Sequence, residues 1–192
     1  MNDEVELLYK EKVRLNDVVN GYAESIFKDI KMLGALGSAL VVWEPVLNGI
    51  TGQSVSIEGL FFGFLGINIA ITLIGLLNLS KQSAMNFYLD EVRILEKEIR
   101  NKLNFTDIDD RKSFQGVDNW KSKGKQIQKK VASPFFFLIT VVEIVLPTII
   151  LYHYSKATGS YEYIWFYLVP AILLSALYYS TSNIVHGKKS QQ

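Results

Sequence analysis

The sequence predicts an all-α, four-pass membrane protein with a cytoplasmic helical-hairpin stalk formed by extensions of its first two spans. Three observations carry that expectation. Apolar runs at 32–50, 60–79, 131–152 and 163–185 are each about 20 residues long, enough for a helix to cross a hydrocarbon layer of about 30 Å. Of the 20 Lys and Arg, five precede the first run, twelve lie between the second and third, two follow the fourth, and only Lys156 falls in the two remaining connections. By the positive-inside rule both termini and the middle segment are expected in the cytoplasm, which places the chain as multi-pass in the inner (cytoplasmic) membrane. Finally, 49% of residues are hydrophobic while the 20% that are charged gather between the runs, a segregation foreign to an evenly mixed soluble domain.

The elements follow in order. Residues 1–31 are expected to form one cytoplasmic amphipathic helix: Val5, Leu8, Leu15, Val19, Tyr22 and Ile26 recur on three- and four-residue steps, with Lys12 interrupting the stripe. That 3.5-residue period is a coiled-coil seam. Asp3, Glu4 and Glu6 suit the positive end of its dipole. No proline precedes the first apolar run, so the helix is expected to continue into it. The run begins after some thirty mostly polar residues, unlike a cleaved signal peptide, and the encoded and mature chains are expected to coincide.

Residues 32–80 should form a transmembrane hairpin, its two spans joined by a short outer link at 51–59. In 81–130 a second stripe (Met85, Leu89, Val92, Leu95, Ile99, Leu103) leaves the membrane. The outer link makes the spans antiparallel, so their two cytoplasmic extensions should pair, Leu15 and Val19 against Val92 and Leu95, as a stalk about 35–45 Å long. A loop follows that closes on Lys121, Lys123, Lys125, Lys129 and Lys130 beside Trp120. The bland function of such a run is topology and attraction to anionic lipid; the sharper one is contact with a cytoplasmic protein or an anionic nucleotide or oligonucleotide, Trp120 supplying a stacking face. Residues 131–185 form the second transmembrane hairpin, with an outer loop expected at 154–162, and 186–192 a cytoplasmic tail. Small residues mark close helix approach: Gly34, Ala35, Gly37 and Ser38 in the first span, and Gly59, Gly63, Gly66 and Ala70 in the second. Tyr152, Tyr154, Tyr161, Tyr163 and Trp165 should mark the outer boundary, and Tyr178, Tyr179 and Phe135 the inner one.

Polar groups inside the runs are the candidate functional residues. Counted from Lys31, Ser80 and Lys130, the residues Glu44, Asn68 and Glu143 all fall about 18–20 Å from the cytoplasmic edge, one shared layer. No Lys or Arg lies within a span to balance the acids, so they should be protonated, hydrogen-bonded or wetted. Pro147 frees the carbonyl of Glu143, Pro45 that of Val41, and Pro170 marks a third break. Two readings stand side by side: a pore or water cavity, with a ring of carboxylates repeated by symmetry favouring cations, or a structural polar layer, with Glu44 near the outer headgroups if the first span is shifted.

Chemistry of other kinds finds no footing in the sequence. There is no cysteine, and His153 and His186 are expected at opposite membrane edges. No phosphate loop, nucleophile elbow or metal-spaced His–acid pair occurs, so neither an enzyme nor a cofactor or metal is expected. In architecture (compact spans, almost no outer loops, stalk stripes at Val5–Ile26 and Met85–Leu103) the chain resembles the small four-pass membrane effectors of bacterial anti-phage defence, including the Kiwa and Hailong membrane subunits. The resemblance covers the whole chain in outline and rests on no motif. It implies a symmetric homo-oligomer, for which a tetramer is preferred, that changes membrane permeability on a cytoplasmic signal; Glu143, Asn68 and Glu44 would line the path, and the lysine run would meet partner or ligand. The expectation is therefore an oligomeric, ion-channel-like effector gated from the cytoplasm. The alternative is a non-conducting anchor whose stalk recruits a soluble protein. A transporter is disfavoured, since four spans show no internal repeat.

Overall fold

A computed structural model describes residues 3–51, 56–103 and 133–187; the side chains at 45, 47–51, 133–136 and 186–187 are outside that description. Among the described residues there are four helices and no strand: α1 (Asp3–Thr51), α2 (Ile57–Lys102), α3 (Ser133–Thr158) and α4 (Glu162–Gly187). The first two run unbroken for 49 and 46 residues, so each apolar run and its polar extension share one helix. Their ends match the dipole, with Asp3, Glu4 and Glu6 opening α1 and Arg100 and Lys102 closing α2.

Three helices are long and apolar enough to cross a membrane, over Ile57–Lys102, Phe137–Thr158 and Glu162–Val185. Their outward faces carry Phe62, Leu73, Leu138, Ile149, Trp165 and Leu173, each more than half exposed, an apolar surface suited to lipid. The remaining expected span, 32–50, runs into the residues of α1 whose side chains are not described.

The chain divides into two compact units. One contains Met1–Phe27 with Ser80–Pro134. Its described part is an antiparallel helix pair: Glu4 meets Lys102, Lys12 lies 3.1 Å from Glu96, and Tyr22 stacks on Tyr88 with centroids 5.9 Å apart. The seam buries Val5, Leu15 and Val19 against Leu89, Val92 and Ile99, while Leu95 is half-buried and Leu103 exposed. Lys12, the interruption in the first stripe, is thus a seam residue. Its ammonium and the Glu96 carboxylate are 16% and 8% exposed. A buried pair of this kind is better suited to fixing register than to adding stability.

The other unit contains Lys28–Leu79 with Phe135–Gln192. Its core joins all four helices through Leu33 and Leu40 of α1, Ile57, Leu60, Phe61, Phe64 and Ile71 of α2, Leu151 of α3, and Tyr167 and Ala171 of α4. Ser56 caps α2, its hydroxyl accepting from the Gly59 N–H at 3.2 Å. The link between α3 and α4 is shorter than the sequence suggests. The helix continues through Tyr154 to Thr158, and only 159–161 turn the chain. Gly159 takes φ +79° as its N–H closes on the Ser155 carbonyl at 2.8 Å, the left-handed C-terminal stop that glycine permits. The Ser155 hydroxyl then reaches the Ser160 carbonyl at 2.9 Å.

Of the expected close approaches, Gly63 makes the tightest. The Trp43 indole lies directly against it, so a methyl there would overlap the ring. Gly34, Gly37 and Gly66 have nothing within 4 Å of an added Cβ, Ala35 and Ser38 are exposed, and Gly59 and Ala70 are half-buried.

Candidate polar site inside the apolar bundle

α3 and α4 have no intrinsic reason to bury polar groups; their sequences are apolar on all sides. Proline creates the need. Pro147 is fully buried in α3 and removes the N–H that would bond the Glu143 carbonyl. The Tyr167 hydroxyl of α4 donates to that carbonyl. Tyr167 is itself fully buried, with Phe64 edge-on to its ring at 6.4 Å. One proline on α3 and one tyrosine on α4 therefore lock those helices together at a set height. The next turn is tightened by the Thr148 hydroxyl on the Ile144 carbonyl at 2.6 Å.

Beside this lock lie the two polar side chains singled out from sequence. Asn68 of α2 is completely buried with its amide close to the Tyr167 hydroxyl, yet neither its Oδ1 nor its Nδ2 reaches the geometry of a full hydrogen bond. The Asn68 backbone carbonyl accepts from Thr72 at 3.0 Å. Glu143 is 5% exposed, and its Oε1 has no hydrogen-bond partner. The Glu143 side chain borders a cavity of about 30 Å³ between the helices, with room for about two waters at about 10–15 Å³ each. Thr72, Thr140, Ser175 and Tyr178 also line it, and among the described residues no basic side chain does. Tyr178, expected as an inner-boundary anchor, instead packs over Gly75 at this cavity.

Glu44 does not join them. It accepts from the Tyr154 hydroxyl at 2.8 Å, and Tyr154 lies eleven residues along α3 from Glu143, about 16 Å. On α1 the residue level with the cavity is Leu33, again eleven residues from Glu44. Counting from flanking lysines assumed that the runs begin at equal heights. They do not: α1 is offset against α3, and the shared layer contains Asn68 and Glu143 without Glu44. Tyr154, expected at the outer boundary, is thus a partner for an acid, and Tyr163 is likewise, meeting Glu58 at 3.3 Å. Asn68 and Glu143 both face the interior of the bundle.

α3 stays helical through Pro147 and α4 through Pro170. The Pro45 side chain, Trp120, Lys121, Lys123, Lys125, Lys129 and Lys130 lie outside the described residues. Among the described residues no group of His, Cys, Asp and Glu is arranged to hold a metal. Tyr167 is the functional-site residue that sequence reasoning missed, although its signal was present. A mid-span hydroxyl needs an acceptor, and Pro147 supplies a free one.

The chain matches no protein-family model, no curated protein and no solved structure.

Proposed function

We propose that the chain is an ion-channel-like membrane effector, four-pass in the cytoplasmic membrane with both termini inside, gated by its α1–α2 hairpin, which serves as a cytoplasmic stalk. The observation that supports this most is the set of buried polar atoms without partners on Asn68 and Glu143, inside helices apolar enough for lipid. Such groups are costly in a purely structural role. They are useful where a path must lower the barrier to a cation. The narrow cavity is then the closed form. Opening widens it by moving α1 and α2, which the cytoplasmic hairpin extends. The fourth span is 32–50, carried by α1.

Assembly as a homo-oligomer, a tetramer by preference, is supported by the open small-residue faces at Gly34, Gly37 and Gly66, which leave space for a neighbouring helix. The biological setting, from the architectural resemblance, is bacterial anti-phage defence, with the lysine run receiving a protein or an anionic nucleotide. A non-conducting anchor is the second reading, favoured by the lock of Tyr167 on Glu143, which holds the bundle shut. Overexpression in bacteria separates them. A channel depolarises the membrane or slows growth, and Glu143→Leu relieves it; an anchor leaves potential and growth unchanged with either residue.

A further inference from the structure

We infer that the cavity bounded by Thr72, Glu143 and Ser175 is a binding site for one monovalent hard cation, of the sodium class. The inference rests on the conduction reading above and names what the path holds when closed. Its wall supplies only oxygen among polar side-chain atoms: a carboxylate from α3 and hydroxyls from α2, α3 and α4. Oxygen donors select hard cations over soft ones. The charge count then sets valence. Among the described residues one carboxylate lines the cavity and no basic side chain does, so a single positive charge neutralises it, whereas a divalent ion would leave an uncompensated charge in an apolar interior.

Size agrees with this. A volume of about 30 Å³ accepts one small ion with one water. Burial agrees as well, since Glu143 lines this cavity and is only 5% exposed. Tyr178 closes one side, its ring only 2.9 Å from where a Gly75 Cβ would stand.

The test uses the full chain in nanodiscs, with sodium chloride exchanged for choline chloride at constant ionic strength. Sodium NMR linewidth and thermal unfolding are the readouts. Wild type is expected to broaden the sodium signal saturably, and its Tm should rise about 2–4 °C once sodium is about fivefold above its Kd. Glu143→Gln should lose both effects. Thr72→Val, which keeps the shape and removes one donor, should weaken binding several-fold, as should Gly75→Ala by pushing the Tyr178 ring. If Glu143→Gln fails to fold, the wild-type titration and the Thr72 variant still decide. Non-saturable broadening, equal stabilisation by choline, or unchanged binding in the folded Glu143 or Thr72 variant would overturn the site in favour of water beside a protonated acid. Ion flux into liposomes, measured separately, isolates the two claims: binding without flux removes the conduction reading and leaves the site, and flux without binding does the reverse.

Discussion

Replacing Tyr167 with Phe removes one oxygen from the middle of the bundle and leaves the ring in place, so the packing against Phe64 survives. What is lost is the donor to the Glu143 carbonyl. A buried acceptor left bare costs about 1–3 kcal/mol in soluble interiors, while hydrogen bonds between membrane helices average about 0.6 and reach about 1.7 kcal/mol. The expected loss is therefore about 1 kcal/mol, or about 2–4 °C in Tm for a chain of this size. The cause can be isolated, because the carbonyl is free only on account of Pro147. Pro147→Ala restores an N–H on the helix, so in that background Tyr167→Phe should cost close to nothing. The two changes should thus couple by about 1 kcal/mol, well above the error of a double-mutant cycle. The small void left by the proline ring appears on both sides of the cycle and cancels. Thermal or detergent unfolding of the four purified proteins provides the numbers. Equal losses from Tyr167→Phe with and without the Pro147→Ala change would refute the lock.

Three further outcomes are expected. Lys12→Met should destabilise the hairpin by about 3 kcal/mol, near the low end for breaking a buried pair because Lys12 keeps 16% exposure; adding Glu96→Leu should restore stability, and a double variant no better than the single one would contradict the pairing. Gly63→Ala should cost about 1–3 kcal/mol by overpacking Trp43, whereas Gly66→Ala should leave the unfolding of the single chain within about 0.5 kcal/mol yet weaken the oligomer seen by native mass spectrometry; the reverse order would discredit both placements. Reporter fusions at 158 should score as external, and a cytoplasmic signal there would overturn the topology.

Much of this was legible before any coordinates. Periodicity marked the stripes that pair Val5, Leu15 and Val19 with Leu89, Val92 and Ile99, because a 3.5-residue repeat has few alternatives. Hydropathy marked four apolar runs by their length, and three of them lie on helices long and apolar enough to cross a membrane. The break in the first stripe marked the odd residue, Lys12, but its partner Glu96 lies far along the chain on α2, and nothing local encodes that distance. The polar layer was half legible. Asn68 and Glu143 were found by their rarity in apolar surroundings, and Pro147 by its chemistry. Glu44 was misplaced because sequence fixes the distance between residues on one helix and says nothing of how far neighbouring helices are offset along their axes. Tyr154 and Tyr178 were expected at membrane boundaries from composition, which carries no sign that Tyr154 meets an acid or that Tyr178 lines a cavity.

Conduction through the Asn68–Glu143 cluster is tested most directly by current across planar bilayers holding the purified protein. Cation-selective events are expected from the wild-type chain. Glu143→Gln should reduce that selectivity and Glu143→Leu should abolish the current, with each variant still folded and assembled. Identical currents in all three proteins, or none from correctly assembled wild type under any condition that moves the α1–α2 hairpin, would contradict it.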